Sequence, residues 1–495
     1  MKKLLLLTTT LLLCTIIHVY GQAWTLLGAD IDGPSANAQF GSSVAINSNG
    51  NTIIAGARFY NGPNGSGAGL AQVYAFDGSA WFQKGGNIDG ETANDNLGWA
   101  ASISDDGNTI AVGAPQNDGN GSNSGRVQVF TYNTGLNQWD LKGGNIDGNA
   151  GDLSGRSISI SGDGNTIAIG GPFNNSLTGV ARVYQFQTGS WNLIGEFFGE
   201  AANDQFGGAI SLSNDGTTVA IGAAFNDGGG NDSGSVEVYR YNGATWAQLS
   251  VDIDGLAEDK LGTAVSLNND GSVLAAGGPF NDETTGNISD NRGYVKVFDY
   301  TGSWVARPDI FGEAPGDQSG SSVDISSDGN TIVIGADNNN SGVGHARVYI
   351  YNGATWAQQG SDIDGELASD FSGDAVAISD FGTRVIIGAL FNDGGGNASG
   401  HVRVYADPVL SIDSSFFAKG VVLYPNPSNG EAVIKLANTN SPITVTINNL
   451  LGQQVHQQQY EAGREIVLTN PLTAGIYVVT LKAGNETKTL KMIVE

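Results

Sequence analysis

The chain has 495 residues, with 74 Gly, 12 Pro and 40% hydrophobic side chains. That is apolar enough to build a core, and it holds too little Gly plus Pro for low-complexity disorder. There are 22 basic and 49 acidic residues, net −27, and such a field repels phosphate backbones and anionic membranes, which argues against nucleic acid as a partner.

Lys2 and Lys3 precede a mostly apolar run of 16 residues, Leu4 to Val19. Gly21 then offers a small residue before Gln22, so residues 1–21 read as a signal peptide cleaved between Gly21 and Gln22. The run falls short of the ~20 residues a membrane-spanning helix needs, and no later stretch is long and apolar enough. The mature chain is therefore expected to carry no transmembrane anchor. Cys14, the only cysteine, lies inside this segment. Without it there is no disulfide, and stability must come from packing and ring closure.

Internal repetition dominates residues 22–406. Trp24, Trp81, Trp139, Trp191, Trp246, Trp304 and Trp356 recur at intervals of 52 to 58 residues, the signature of a repeat architecture. Residues 81–133 show the grammar. A strand from Trp81 to Ile88-Asp89-Gly90 is followed by a loop with Asp95 and Gly98. A strand over Trp99 to Ser104 comes next, then the tight turn Asp105-Asp106-Gly107-Asn108. Thr109 to Ala114 is a further strand, and Pro115 breaks it. A polar Gly/Asn loop leads to the period-two strand Arg126 to Tyr132.

Seven such units predict an all-β, seven-bladed propeller of four-stranded antiparallel blades, because ring closure removes the open sheet edges. The phase of the repeat predicts that the strand Trp24 to Ile31 completes the last blade beside His401 to Tyr405. The segments Phe40-Gly41-Ser42-Ser43-Val44 and Ile110-Ala111-Val112-Gly113-Ala114-Pro115 resemble the FG-GAP repeat of integrin α-subunit propellers, as do Phe206-Gly207 and Ile221-Gly222-Ala223-Ala224. That resemblance implies a propeller. It also implies calcium loops of the form D-x-D-x-D-G-x-x-D, from which this chain departs. Its equivalents, such as Ser213-Asn214-Asp215-Gly216, offer fewer than the six to eight oxygens calcium takes, so they read as turns.

Two kinds of connection share each face of such a ring. The short turns lie together, and the longer, more acidic loops lie on the other face, which is the expected recognition surface. Asp227, Asp232, Asp282, Asp290 and Asp393 on those loops are the calcium candidates. Asp95, Asp152, Asp204, Asp259, Asp317 and Asp370 each stand three residues before a Gly and read as scaffold that accepts backbone N–H groups. Breaks in the pattern are better functional candidates: Trp99, Arg58, Arg156, Lys260 and Arg384. Phe225, Phe280 and Phe391 open the long loops, where they are placed either to stack a sugar or to pack. His345 and His401 share one repeat position. No Ser-His-Asp spacing, zinc motif or phosphate loop is present.

After Tyr405 the repeat stops. Residues 407–419 read as a linker, and residues 420–495 as a small β-sandwich. This module resembles the type A sorting domain of type IX secretion in Bacteroidetes. The matching residues are Leu423-Tyr424-Pro425-Asn426-Pro427, Asn449-Leu450-Leu451-Gly452-Gln453 and Gly475-Ile476-Tyr477, with Thr489 to Val494 at the end. The resemblance implies passage of both membranes, an interaction with the type IX machinery, and release or attachment at the cell surface. The function expected is a non-catalytic binding or adhesion propeller for a glycan or a surface protein. The alternatives are an extracellular polysaccharide-cleaving enzyme and a structural surface component with calcium-binding loops.

Overall fold

The computed structural model describes residues 23–282 and 290–407, together with residues 422–424, 432–435, 443–449, 453–460, 465–468, 472–473, 475–483 and 486–494. The signal segment, its cleavage point Gly21–Gln22, the linker beyond Asp407 and Pro425, Asn426 and Pro427 lie outside the described residues. The chain forms two compact units that divide between Pro408 and Val409.

The first unit holds seven antiparallel sheets, each a four-stranded blade. In the second blade the order is Ala100–Ile103, Thr109–Ala114, Arg126–Asn133, Gln138–Leu141. The second strand of each blade reads almost continuously apolar, as in Thr-Ile-Ala-Val-Gly-Ala, and that strand is wholly buried. Alternation disappears there because both faces of the strand are covered by neighbouring blades. Seven apolar clusters fill the seven junctions. One of them joins Ile54, Val73 and Ile88 of the first blade to Ile110 and Val112 of the second.

The outermost strand departs from the reading in one respect. Ile88–Asp89 pairs with the third strand separately from Trp81–Gln83, because Gly85, at φ 75°, turns the chain out between them. The third blade shortens this stretch and keeps one strand, Ser190–Phe198, with a bulge opposite Val183 and Tyr184.

The ring closes as the repeat phase predicts. Thr25 and Leu26 pair with Ala406 and Tyr405, and Ile31 pairs with Val402, so the first strands of the array complete the seventh blade. A closure core packs Ile53, Ala55 and Leu70 against Ile386, Val402 and Val404. Hydrogen bonds around the channel link every blade to the next. Asp380 N–H donates to Ser48 O, Asp105 N–H to Gly162 O, Gly162 N–H to Asn214 O, Asn214 N–H to Asn269 O and Ser327 N–H to Asp380 O. Asn47 and Asn268 side chains bridge the remaining two junctions, to Asp105 O and Ser327 O.

The second unit is a pair of antiparallel sheets. One holds Val422–Tyr424, Ala432–Lys435 and Glu465–Leu468; the other Gln454–Tyr460, Ile443–Asn449, Gly475–Ala483 and Glu486–Val494. They share one core of Ile434, Val445, Ile447, Ile466, Leu468, Val479, Leu481 and Met492.

Candidate functional site

Scaffold and site separate cleanly once each repeat position is followed round the ring. The Asp residues three before each Gly accept the backbone N–H three residues earlier, as in Thr92 to Asp95 at 2.8 Å. Each also accepts an Asn side chain from 22 residues later: Asn117 to Asp95, Asn174 to Asp152, Asn226 to Asp204, Asn281 to Asp259, Asn339 to Asp317 and Asn392 to Asp370. The first blade replaces both partners together, with Ala38 buried and Tyr60 packed on the same cluster. The Trp residues tie blade to blade through indole N–H groups, Trp81 to Leu27 O at 2.7 Å and Trp139 to Lys84 O at 2.8 Å. Trp24 makes the closing bond, to Gln359 O at 2.9 Å.

Arg384 belongs to this scaffold. Its guanidinium donates to Gly50 O at 2.9 Å across the closing junction. Lys84 and Lys142 clasp the turn carbonyls of Gly107 and Gly164 in the same manner.

Among the described residues, the calcium candidates form no group of three ligands. Asp227 accepts the N–H of Asp232, Asp282 that of Asn291, Asp290 that of Arg292 and Asp393 that of Ala398. These four carboxylates thus brace their loops, Asp282 and Asp290 the same one. Among the described residues, the groups with three metal-ligating side chains within reach are Asp30–Glu366–His401 and Glu313–His345–Asp362. His345 and His401 therefore stand in separate clusters, one per blade. Each has a resident cation: Arg347 pairs with Glu313 and Arg403 with Asp30 and Glu366. Burial first, and then these arginines, hold both imidazoles below their ordinary pKa.

The channel end nearest the tight turns opens on a cavity of about 150 Å³ lined by the ends of the seven innermost strands. Asp324 lies there, and sequence reasoning missed it. Ser102, Ser159, Ser211 and Ser266 occupy the same repeat position and accept a backbone N–H from the next blade. Asp324 does so too, from Ile378 at 2.8 Å, and takes a bond from Ser266 Oγ. Desolvation lifts its carboxyl to about 6. The only signal was one Asp in a column of Ser and Ala.

The opposite mouth carries four of the five pattern breaks, and the structure brings three of them together there. Arg58 follows the second strand of the first blade, Trp99 opens the second blade, and Arg156 opens the third. The Arg58 guanidinium lies 4.7 Å from the Trp99 ring centre and that of Arg156 lies 4.6 Å away. Phe59 meets Trp99 edge-on, and Phe173 lies 5.6 Å from Arg156. Two blades further round, Lys260 stands over Phe225 at 4.4 Å and Phe280 at 4.6 Å. Phe391 packs edge-on to Phe371. Behind this rim, Gln39, Asn96, Leu153, Gln205, Lys260, Gln318 and Phe371 all take positive φ, between 53° and 59°. One equivalent position in seven blades is thus held in a conformation non-Gly residues seldom adopt. Desolvation and then the neighbouring Arg58 lower the Arg156 pKa. In the seventh blade, next to Arg58, Asp374 is pushed up to about 6 by burial and by Asp337, against the pull of Arg58.

In the sorting module, Tyr424 pairs with Val433 in a strand. Tyr477 is buried and donates from its hydroxyl to Thr473 O at 2.7 Å, and Gly475 begins its strand.

Comparison with known proteins agrees with both halves of the chain. The FG-GAP repeat model matches residues 89–130 and 199–239. The secretion system C-terminal sorting domain matches residues 422–495. No curated protein sequence matches. Among solved structures the chain is similar to Kuenenia stuttgartiensis hydrazine synthase, at 12% identity and TM-score 0.49, over 73% of this chain and 93% of that one. A likeness that faint carries no argument about activity. The repeat and the sorting domain together define the chain: it is an FG-GAP-repeat protein of propeller-like fold, secreted to the cell exterior or surface by the type IX system.

Proposed function

We propose that the propeller is a non-catalytic binding module, displayed or released outside the cell, that recognises a glycan or a surface protein through the mouth bearing Arg58, Trp99, Arg156 and Lys260. One observation carries this reading. The scaffold positions repeat nearly unchanged round the ring, whereas that mouth departs from the repeat with aromatic and cationic side chains suited to a ligand. Exposed Phe59, Phe173 and Phe391, each 37–38% accessible, add apolar surface beside the polar loops.

The test is binding of the secreted protein to an array of polysaccharides and to intact cells, with reducing-end release measured in parallel. Saturable binding without release of new ends supports the reading. Turnover of any polysaccharide replaces it with the enzymatic one.

A further inference from the structure

The mouth has a charge pattern that the rest of the propeller lacks. Elsewhere in the described propeller every Lys or Arg reaches an oxygen acceptor: Arg182 lies 2.7 Å from Asp152, for example, and Arg307 lies 2.6 Å from Gly329 O. At the mouth, Arg58 donates only to the neutral Gln39, at 2.9 Å, with Asp374 close enough to act on it but beyond salt-bridge distance. Among the described residues, Arg156 has no carboxylate within salt-bridge distance, and neither does Lys260; both rest on aromatic rings instead. In a chain of net −27, cations left on rings at one edge mark a place where the counter-charge comes from outside. Arg58 and Arg156 also share one indole, so each guanidinium repels the other.

We propose that the Phe59–Arg58–Trp99–Arg156–Phe173 arc is the subsite for an acidic polysaccharide, one whose sugars carry carboxylate or sulfate ester groups. This rests on the binding reading above and names its ligand class. Guanidinium groups match the two-oxygen geometry of both anions. The exposed Phe59 and Phe173 rings present apolar surface to the C–H face of a pyranose. Lys260, between Phe225 and Phe280, supplies a second cation further round the same mouth, so a chain rather than a single sugar is the fitting ligand. Asp374, which acts on Arg58 from the seventh blade, and Asp337 in the sixth bound the arc at its first-blade end and leave the Arg156 end as the attractive side. Charges interact over about 8 Å at physiological salt, so the acidic loops far from the arc are screened from a ligand seated on it.

The experiment measures binding of the secreted protein to polygalacturonate, dextran sulfate, neutral dextran and a single-stranded oligonucleotide. Binding to one or both acidic polysaccharides at least tenfold tighter than to dextran is expected, weakening as NaCl rises. Arg156→Gln and Lys260→Gln should each lose at least fivefold, Arg156→Lys should keep most of the affinity, and Phe381→Ala on the opposite mouth should change nothing. Each variant is first melted, and only those with the parent's midpoint are compared. The two acidic probes separate carboxylate from sulfate recognition. Equal binding to dextran, or acidic binding indifferent to both Gln variants, overturns the subsite and leaves a glycan-binding propeller. Binding only to cell-surface protein, or tighter binding to the oligonucleotide, also overturns it. Absence of binding to every probe and to cells removes the wider reading as well.

Discussion

Gly388 and Gly41 touch across the seam of the ring. A Cβ on Gly388 would fall 2.0 Å from the carbonyl oxygen of Gly41. The same approach recurs between Gly56 and Gly98, Gly113 and Gly155, and Gly222 and Gly262. The glycines of the repeat are therefore needed because two backbones meet at each junction. Gly388→Ala should destabilise by about 3 kcal/mol, since the backbone on one side must move. Gly86→Ala, with nothing within 4 Å, should stay within about 0.5 kcal/mol of the parent. Urea unfolding of the two variants checks the contrast.

Trp356 is the exception among the repeated indoles. Its N–H is buried without a partner, whereas Trp24 donates to Gln359 O at 2.9 Å. Changing each to Phe removes similar apolar bulk but only one hydrogen bond. Trp24→Phe should cost about 1 kcal/mol more than Trp356→Phe. Equal losses in the unfolding midpoint would show that the indole bonds do not hold the seam.

The buried Asp370–Asn392 pair should behave as a unit. Asp370→Ala leaves the N–H of Leu367 without its acceptor and the Asn392 amide with only its 3.2 Å bond to Glu366, a loss of about 1–3 kcal/mol. The first blade already holds Ala38 with Tyr60 at these positions. Adding Asn392→Tyr to Asp370→Ala should therefore recover part of the loss. A double-mutant cycle reads this as a coupling of about 1 kcal/mol or more.

Acidity should stabilise the propeller down to mild acid. Burial raises Glu237 from 4.5 to about 7, and Asp324 and Asp374 from 3.8 to about 6. Over those windows the folded chain holds protons that the unfolded chain has lost. The contribution of these groups to stability is therefore full below the unfolded values and declines as pH rises through the folded ones. Glu237→Gln removes the cost of a buried charge at pH 8, a gain of up to about 3 kcal/mol. The gain should shrink toward zero near pH 4. Melting curves across pH 4 to 8 decide it.

Much of the fold was legible because the physics repeats. Seven Trp, the Asp-Gly turns and the uniform second strands each stated the same four-stranded unit seven times. The C-terminal strand Gln454–Tyr460 escaped, because its Gln-Val-His-Gln-Gln-Gln-Tyr sequence is largely exposed at a sheet edge and leaves little alternation to read. The site was half legible. Arg58, Trp99, Arg156 and Lys260 stood out as departures from the repeat, but the meeting of the first three did not, since they lie in the first, second and third blades. Arg384 stood out equally and proved to be a clasp. Asp324 was hidden because its column is otherwise of small residues, Ser in four blades and Ala45 and Ala377 in two, and nothing in that pattern marks a site.

The seam also governs how the chain can come apart. Thr25 must find Ala406, so the last sheet stays one strand short until almost the whole repeat array is present. Until then the array has two open edges and presents them to proteases and to other copies of itself. Once shut, no single blade can peel away without breaking bonds on both of its flanks. Outside the cell, where nothing refolds a damaged chain, that makes lifetime a matter of how slowly the seam opens, and the rate is set by a few residues near Trp24.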